Sequence, residues 1–549
     1  MSQASIANGA EVGTRRWAAW LTPVALVALV LLAAGLRSGR LTANELWLDE
    51  ADAALQVMVP QTFSQMIHRL QTDYNPPLYY VALRPWVQAL GTSECALKSF
   101  SVFWGVTLVL VVFFAARELL GPPAAWIASL LVTVHPLLIY YAQEVRPYSM
   151  LVTLTTLSMW MLWRLMREGG VLNALLYGLT TAAVLYTHNY GVFVAPAGVV
   201  AALAVGSDRG RWKELVRVFV PAAAAGLAFL PWFIFVNLHL VEAGGLDWIA
   251  SLFNGYAPLS SMETFTPGGS YPRYLRHLSQ NCQPLEVVRV LAMLMAAALS
   301  GLALLKPTLG ANGRRRVDGR AIFLAVWVLV PLTLPYLYSL VGTPIYLVGR
   351  YDQIALVPFV MLLALGAGKL GRSAQWAWVV TAVFVLFAGL ALYPFYVKPR
   401  STPLSTRTAE AVMKASAPED LVVFTGLARA PNEYQLRQRG FAGAFLSYPL
   451  SASDHLGWFS YEREAARLDA LRADIETVLA RAAGLPSGAH LWVYLYLQEP
   501  WRDRRGKPTD AAAVDGLLLT GLEQAGWRPS DVIDYRTFRT IRYRRVSHP

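Results

Sequence analysis

Long apolar segments recur along the first three quarters of the chain and constrain its fold more than any other feature. Eleven of them approach the roughly 20 residues that a helix needs to cross a bilayer. They are 17–36, 99–116, 124–140, 149–166, 171–187, 190–206, 216–237, 285–305, 321–341, 352–368 and 374–393. The 549-residue chain is 55% hydrophobic and 15% charged, with a mean hydropathy of +0.40, which is too apolar for a water-soluble domain. The sequence therefore predicts a polytopic α-helical membrane protein with about 11 transmembrane helices.

Basic residues indicate how these helices are oriented. Arg15 and Arg16 precede the first run, which predicts an uncleaved anchor with a cytoplasmic N-terminus, because Lys and Arg collect in cytoplasmic loops. Every second loop after that is also basic, and this pattern accounts for the net charge of +12 without a nucleic-acid partner. An odd number of spans then places the C-terminal segment outside the cytoplasm.

Composition changes after the last apolar run. Residues 398–549 are rich in charge and contain two strand-like runs, Leu421–Phe424 and Leu491–Tyr496, separated by helix-like stretches. Alternating strands and helices predict a small α/β domain. We therefore divide the chain into a membrane module, 1–397, whose first external loop spans 37–98, and an extracytoplasmic domain, 398–549. Cys95 and Cys282 are too few for a disulfide framework or a zinc cluster, and allow at most one bridge between external loops.

Carboxylates follow the first span. Asp49 and Glu50 begin the first external loop, where an ionised pair beside a bilayer is costly unless it reacts or finds partners. The same loop holds Asp73 and Asn75 just before a Pro-Pro pair that excludes regular helix. Glu144 follows the third span on the same predicted side. These residues are candidates for proton transfer, acceptor contact or metal binding.

Two arginines lie on the side where the positive-inside rule disfavours them. Arg146 and Arg350 flank external turns, and their planar guanidinium groups bind phosphate with two parallel hydrogen bonds. His188, in an external turn, and Tyr148 are the expected further contacts to a phosphate. The alternative for each arginine is to extend its charge to the interface or to pair with a carboxylate, Glu144 or Asp352.

A set of motifs in a fixed order resembles a known group. They are Trp47-Leu48-Asp49-Glu50-Ala51, Asn75-Pro76-Pro77-Leu78-Tyr79-Tyr80, Gln143-Glu144-Val145-Arg146-Pro147-Tyr148, Thr187-His188-Asn189-Tyr190-Gly191 and Gly349-Arg350-Tyr351. This succession resembles the GT-C membrane glycosyltransferases. It is most similar to the family 39-like branch of protein O-mannosyltransferases, aminoarabinose transferases and RgtA/B/C/D-like enzymes. The resemblance covers residues 15 to about 395.

The resemblance implies a GT-C fold and an inverting glycosyltransferase of the bacterial inner membrane, acting on its outer face. The donor would be a polyprenyl-phosphate sugar, and the acceptor a glycan, a lipid or a protein. Asp49 would be the catalytic base, with Glu50 beside it, while Arg146, Arg350, His188 and Tyr148 would hold the donor phosphate. Inverting displacement needs a base on one side and stabilisation of the leaving phosphate on the other.

One departure from the aminoarabinose transferases concerns a metal. Their Glu-Lys before the Pro-Pro pair, which supplies an acidic metal ligand, is replaced here by Tyr74 and Asn75. Asp73 is one position earlier, so Asp49 and Asp73 are the candidate ligands of a divalent cation.

Two other functions fit a polytopic protein. A lipid-linked glycan polymerase or ligase would share the architecture and differ in its donor. A transporter or flippase would carry charges near span centres and a two-fold repeat. The charges here cluster at span ends instead, which favours the transferase.

Overall fold

The structure is a computed structural model that describes residues 22–59, 61–73, 75–205, 211–238, 247–269, 286–309, 315–371, 374–397, 404–453, 455–497, 507–535 and 538–546. The chain divides into two compact units. The helical unit comprises Met1–Leu41, Lys98–Phe235 and Leu246–Lys398, and the mixed unit comprises Thr42–Leu97, Val236–Gly245 and Pro399–Pro549. The predicted anchoring arginines, Arg15 and Arg16, lie outside the described residues, as does Cys282.

Helices occupy all eleven apolar runs of the helical unit. Their bounds are Thr22–Ser38, Glu94–Leu119, Pro122–Val134 with Pro136–Tyr141, Tyr148–Glu168, Val171–Thr187, Asn189–Val205, Arg211–Trp232, Glu286–Leu305, Gly319–Val341, Asp352–Ala367 and Ala374–Val397. The runs beginning at Asn189 and Asp352 open with a 3₁₀ turn. Short helices Asp247–Ala250 and Ala257–Phe265 and a two-residue hairpin, β1 (Thr308–Leu309) with β2 (Arg315–Arg316), connect them.

Five of the described helices are long and apolar enough to cross a membrane. They are Glu94–Leu119, Trp212–Val236, Glu286–Leu305, Gly319–Val341 and Gln375–Val397. Large apolar side chains on the outer helix faces are exposed, with Leu172, Leu227 and Leu294 at 68%, 68% and 63%. Such faces are unfavourable in water and favourable against lipid. The predicted polytopic helical membrane architecture is confirmed, while the total of eleven spans stays a prediction.

A buried arginine donates hydrogen bonds to the carbonyl groups at a break in one of these helices. Pro136 has no N–H, so the helix 124–140 predicted from the apolar run ends at Val134 and restarts at Pro136. The carbonyl of Val132 loses its usual partner four residues on, and that of Thr133 lies beside it. The Arg37 guanidinium, fully buried, donates to the Val132 oxygen at 3.1 Å and to the Thr133 oxygen at 3.0 Å. The break is thus hydrogen-bonded inside the unit, as buried carbonyls require.

The mixed unit contains a five-stranded sheet in the order β4-β3-β5-β7-β6. Its strands are β3 (Leu421–Thr425), β4 (Ala444–Tyr448), β5 (Leu491–Tyr496), β6 (Trp527–Asp534) and β7 (Phe538–Arg545). β3 pairs in parallel with β4 and β5, whereas β7 runs antiparallel to β5 and β6. Helices Leu404–Ala415, Arg429–Gln438, Tyr461–Ala465, Leu468–Ala483 and Asp510–Gln524 accompany the sheet. The predicted small C-terminal α/β domain is therefore confirmed.

Residues of the first loop pack into this same unit. Its helices are Leu48–Met58, Phe63–Leu70 and Leu78–Leu90. The Glu45 carboxylate accepts the backbone N–H groups of Ser405 at 3.2 Å and Thr406 at 3.0 Å, at the start of helix Leu404–Ala415. An anion at this end of a helix is favourable. The Tyr434 hydroxyl donates to the Thr92 carbonyl at 3.0 Å. Loop 37–98 is predicted to belong to the membrane module, whereas the structure groups Thr42–Leu97 with the C-terminal segment.

Candidate functional site

The two misplaced arginines lie in the helical unit and are almost fully buried. Arg146 is 7% and Arg350 6% exposed. The Arg350 Nε donates to the Tyr148 hydroxyl at 2.6 Å, and its guanidinium carbon lies 5.4 Å from the centre of the Tyr148 ring. It also lies 5.7 Å from the Tyr351 ring and 5.8 Å from the Trp248 ring. Aromatic faces stabilise a cation when water is excluded, so Arg350 is held in place while it stays charged.

His188 completes this cluster. It lies in the turn between helix Val171–Thr187 and the 3₁₀ turn that follows, with its ring 5.7 Å from that of Tyr148 and 5.1 Å from that of Tyr351. Burial, with smaller contributions from the charges of Arg146 and Arg350, lowers the pKa of His188 to about 3. The imidazole is therefore neutral near pH 7.

The hydrogen bond at one ring nitrogen fixes the tautomer of His188. Its Nδ1 accepts the Tyr190 backbone N–H at 3.1 Å. A neutral imidazole that accepts at Nδ1 carries its proton on Nε2. His188 can therefore donate one hydrogen bond to an anion at this site without adding charge.

The structure thus brings four of the predicted phosphate-binding residues into one cluster, the arginine cluster, consisting of Arg146, Tyr148, His188 and Arg350. Trp248 was not foreseen, because it stands alone in a long connecting segment. Asp352, the expected ion-pair partner of Arg350, accepts a hydrogen bond from the Ser261 hydroxyl. Ser261 in turn lies 2.8 Å from the Tyr346 hydroxyl. Glu144 is buried in the same unit, at 6% exposure.

The predicted catalytic carboxylates lie in the mixed unit, in the first turn of helix Leu48–Met58. The Glu50 carboxylate accepts the Trp47 backbone N–H at 3.2 Å and is 3% exposed, so it caps its own helix. Asp49 is half-buried. Two acidic residues at a helix N-terminus interact favourably with the helix dipole.

Asp73 is held rigidly at the turn before the Pro-Pro pair. One carboxylate oxygen accepts both the backbone N–H of Asn75 at 2.9 Å and its side-chain Nδ2 at 3.1 Å. The other oxygen accepts the Tyr80 hydroxyl. An Asp that accepts the N–H two residues on forms an Asx turn. Asn75 therefore serves to orient Asp73.

Three potential metal ligands converge in the mixed unit. Atoms of Asp52, Asp73 and His455 lie within 4.8 Å of one another, and both carboxylates are 2% exposed. The sequence predicted Asp49 and Asp73 as metal ligands. The group contains Asp73 but not Asp49, and its other two members are Asp52 and His455. Two carboxylates and an imidazole are a donor set that fits a divalent cation. Neither Asp52 nor His455 lies in a recognisable motif, and hundreds of residues separate them. Sequence spacing therefore does not indicate that they lie close together.

Comparison with known proteins identifies the fold. Residues 70–244 match the family model described as dolichyl-phosphate-mannose-protein mannosyltransferase. A search of curated protein sequences finds no significant match.

Solved structures are similar over nearly the whole chain. ArnT from Cupriavidus metallidurans in the apo state has a TM-score of 0.57 at 12% identity, covering 96% of this chain and 98% of ArnT. ArnT bound to undecaprenyl phosphate has a TM-score of 0.56 at 12% identity, covering 95% and 98%. The apo oligosaccharyltransferase of Archaeoglobus fulgidus has a TM-score of 0.51 at 12% identity, covering 86% of this chain and 69% of that one. The resemblance inferred from the motifs is confirmed: the chain is a multi-pass membrane protein with the GT-C glycosyltransferase fold, and its residues 70–244 match the protein mannosyltransferase domain.

Proposed function

We propose that the protein is an inverting glycosyltransferase that moves a sugar from a polyprenyl-phosphate-linked donor to an acceptor on the outer face of the inner membrane. The observation that carries this proposal is the arginine cluster. Two buried, permanently charged guanidinium groups, a tyrosine hydroxyl and a neutral imidazole donor converge there. Buried cations without a purpose are costly, and this set of donors is complementary to a phosphate.

Similarity supports a lipid-phosphate donor. The ArnT structure that resembles this chain was solved with undecaprenyl phosphate bound, and the matching family is named for a dolichyl-phosphate sugar donor. The family name indicates a single mannose on a lipid phosphate, and this supports a monosaccharide donor, hexose or pentose, over the lipid-linked glycan of a polymerase or ligase. The acceptor would be a glycan, a lipid or a protein.

The residues would divide the reaction between them. Asp49 takes the proton of the acceptor hydroxyl as that oxygen attacks the anomeric carbon. The bond from this carbon to the phosphate oxygen breaks, and its electron pair leaves with the lipid phosphate. The leaving group gains a negative charge in this step, and Arg146 and Arg350 stabilise it. Tyr148 orients Arg350, and His188 donates from Nε2.

The remaining site residues would act by positioning. Glu50 caps the helix that carries Asp49, and its hydrogen bond to Trp47 supports that role. Asp73 with Asn75 shapes the turn before Pro76, and Glu144 lies two positions from Arg146 in the same turn.

The test is turnover by purified protein in lipid nanodiscs with undecaprenyl-phosphate sugars. Release of undecaprenyl phosphate is expected from the wild type and is expected to be lost in Asp49→Asn. Arg146→Ala and Arg350→Ala should each weaken donor use by about 2–5 kcal/mol, because the lost charge leaves its buried partners uncompensated. Arg164→Ala is the matched control, since Arg164 is partly exposed and pairs with Glu118 and Glu168, away from the arginine cluster in sequence. Full activity of Asp49→Asn would remove the assignment of the base.

Orientation is part of the proposal. The positive-inside rule places the N-terminus in the cytoplasm and the C-terminal α/β domain in the periplasm or outside the cell. A phosphatase reporter that is active only outside the cytoplasm, fused after Pro549, should be active. Activity of a cytoplasm-only reporter at that position would reverse the orientation.

A further inference from the structure

We propose that a cleft in the C-terminal α/β domain binds an acidic saccharide, that is, a sugar that carries a carboxylate or phosphate group. The cleft has a volume of about 830 Å³, and His490, Trp527, Arg544 and Arg545 contribute to its lining. This volume is typical of small-molecule sites. The proposal goes beyond the transferase function and does not depend on it, because none of these residues belongs to the arginine cluster or to the proposed catalytic groups.

The first argument is the uneven neutralisation of charge along one strand. Arg539 and Arg542 on β7 each pair with a carboxylate of the neighbouring strand β6. Arg544 and Arg545 continue the same strand and are exposed, and they form no ion pair with any residue that the structure describes. The strand therefore leaves its positive charge unneutralised at the end that lines the cleft.

A third arginine adds to this charge. Arg528 on β6 lies directly opposite Arg544 in the antiparallel ladder. Its guanidinium group is exposed and donates to the backbone carbonyls of Glu523 and Trp527. Like charges directly opposite each other on neighbouring strands destabilise a sheet. A bound anion would offset this repulsion, so the arrangement favours an anionic ligand.

The second argument is that two helices end at the cleft. Ala482 and Gln524, in the last turns of helices Leu468–Ala483 and Asp510–Gln524, both line it. The C-terminus of a helix carries about half a negative charge and presents carbonyl groups that accept hydrogen bonds. Two such ends offset about one of the three arginine charges, which weakens the attraction for a bare anion. Saccharide hydroxyls can donate to carbonyl oxygens, so a ligand with both hydroxyls and an anionic group complements the cleft best.

A fully buried carboxylate anchors one side of the cleft. Asp420 accepts the backbone N–H of His490 at 2.7 Å and the Nε1 of Trp492 at 2.7 Å. An Asp420 carboxylate oxygen also lies 3.4 Å from Nδ1 of His490. The backbone and the ring of His490 are thus both held in place, and the partly exposed ring can contact a saccharide hydroxyl. A side chain that is fixed before binding loses less entropy when the ligand arrives.

The shape and lining of the cleft favour a saccharide over an anionic lipid surface. Segments that bind a bilayer combine basic residues with large apolar side chains that insert between the lipids. Small or polar residues such as Ser487, Gly488 and Gln524 line much of this cleft, and Val546 is the one large apolar side chain among the lining residues that is exposed. An anionic phospholipid is therefore the alternative that the experiment tests.

The experiment measures binding to the full-length protein in phosphatidylcholine nanodiscs by isothermal titration calorimetry. The acidic probes are trigalacturonic acid, which carries carboxylates, and maltotriose phosphate, and the neutral probe is maltotriose. At least one acidic probe should bind, and maltotriose should bind at least ~10-fold more weakly, because hydrogen bonds to a charged group are lost. The double variant Arg544→Gln with Arg545→Gln should weaken binding of the acidic probe by a similar factor.

The matched control is the double variant Arg539→Gln with Arg542→Gln. It removes the same charge from the same strand, but from arginines that do not line the cleft, and it should keep the wild-type affinity. Anion binding at the arginine cluster would be the same in all three proteins, so the difference between the two double variants reports on the cleft alone. Thermal unfolding checks that both variants fold.

Three outcomes would overturn the proposal. They are no binding of either acidic probe, equal binding of maltotriose, and equal loss of affinity in the two double variants. Soluble dihexanoyl-phosphatidylglycerol and inorganic phosphate are the remaining probes. If either binds as tightly as the acidic saccharide and loses affinity only in the cleft variant, the site recognises a lipid head group or a free anion, and the saccharide assignment is wrong. No outcome depends on turnover, so the transferase proposal stands or falls separately.

Discussion

Tyr148 and Arg350, some 200 residues apart in sequence, are joined by a hydrogen bond of 2.6 Å from Nε to the phenol oxygen. The bond uses the one guanidinium nitrogen that lies along the side chain and leaves the two terminal nitrogens to other partners. A guanidinium group whose Nε is already held by a hydrogen bond is suited to bidentate recognition of phosphate, because the side chain loses less rotational freedom on binding.

Replacing Tyr148 by Phe should therefore raise the KM for the lipid donor more than it lowers kcat. The ring and its packing remain, but the hydrogen bond to a charged group is lost, which costs about 1.5–3 kcal/mol. Steady-state kinetics with an undecaprenyl-phosphate sugar measures the effect. Tyr393→Phe is the control, since that side chain is 66% exposed. An unchanged KM would show that Arg350 is positioned by its aromatic neighbours alone.

Replacing Arg350 by Lys keeps the positive charge and removes the planar guanidinium group. We expect donor affinity to fall by about 1–3 kcal/mol, because an ammonium group makes no bidentate contact and cannot reach the Tyr148 oxygen in the same geometry. Donor binding measured by tryptophan fluorescence would check this, with Trp248 beside the guanidinium as the reporter. Equal affinity in the lysine variant would indicate that only charge matters at this position.

Acid should destabilise the helical unit through His188. Its pKa is lowered to about 3 in the folded protein, mainly by burial, whereas an unfolded histidine titrates near 6.5. The unfolded state therefore binds more protons between these values. The contribution of neutral His188 to the free energy of unfolding is fully present above about pH 6.5. It is lost as pH falls toward 3, at about 1 kcal/mol per pH unit.

His188→Gln removes the titrating group while keeping a hydrogen-bond donor. The melting temperature of the wild type should fall further than that of this variant when the pH is lowered from 7 to 5. Parallel losses in the two proteins would show that other groups determine the acid response.

Arg37 and Pro136 should show strong coupling in a double-mutant cycle. Arg37→Met leaves the carbonyls of Val132 and Thr133 buried and unpaired, at about 2–4 kcal/mol. Pro136→Ala restores an N–H that can bond the Val132 carbonyl within a continuous helix. The double variant should thus be more stable than the sum of the single effects predicts, as judged by thermal unfolding in detergent. Additive effects would mean that Arg37 stabilises the unit in some other way.

The sequence predicts the membrane helices well because each apolar run is long and separated by polar residues, and every run coincides with a helix. Where a prediction differs, one residue explains it: Pro136 splits the run 124–140 because it removes a helical hydrogen bond. The two arginines could be found from sequence because topology makes them anomalous.

Other residues carry no such local signal. Asp52 and His455 come together only after the chain has folded, and Trp248 is an ordinary residue in its own segment. The contacts between Glu45 and the start of helix Leu404–Ala415 also cannot be predicted from the sequence, since a carboxylate can cap any nearby helix. Long-range proximity of this kind is set by packing, which no short pattern records.

The hydrogen bonds from Ser405 and Thr406 to Glu45 carry a consequence for biosynthesis. Ribosomes make Glu45 among the first residues and its two partners several hundred residues later, after the apolar helices between them. The first loop must therefore remain without its final neighbours during most of translation. Its helices reach their native packing only when the end of the chain arrives, so a truncated polypeptide that lacks residues 404–546 would expose the face of helix Leu48–Met58 and invite proteolysis.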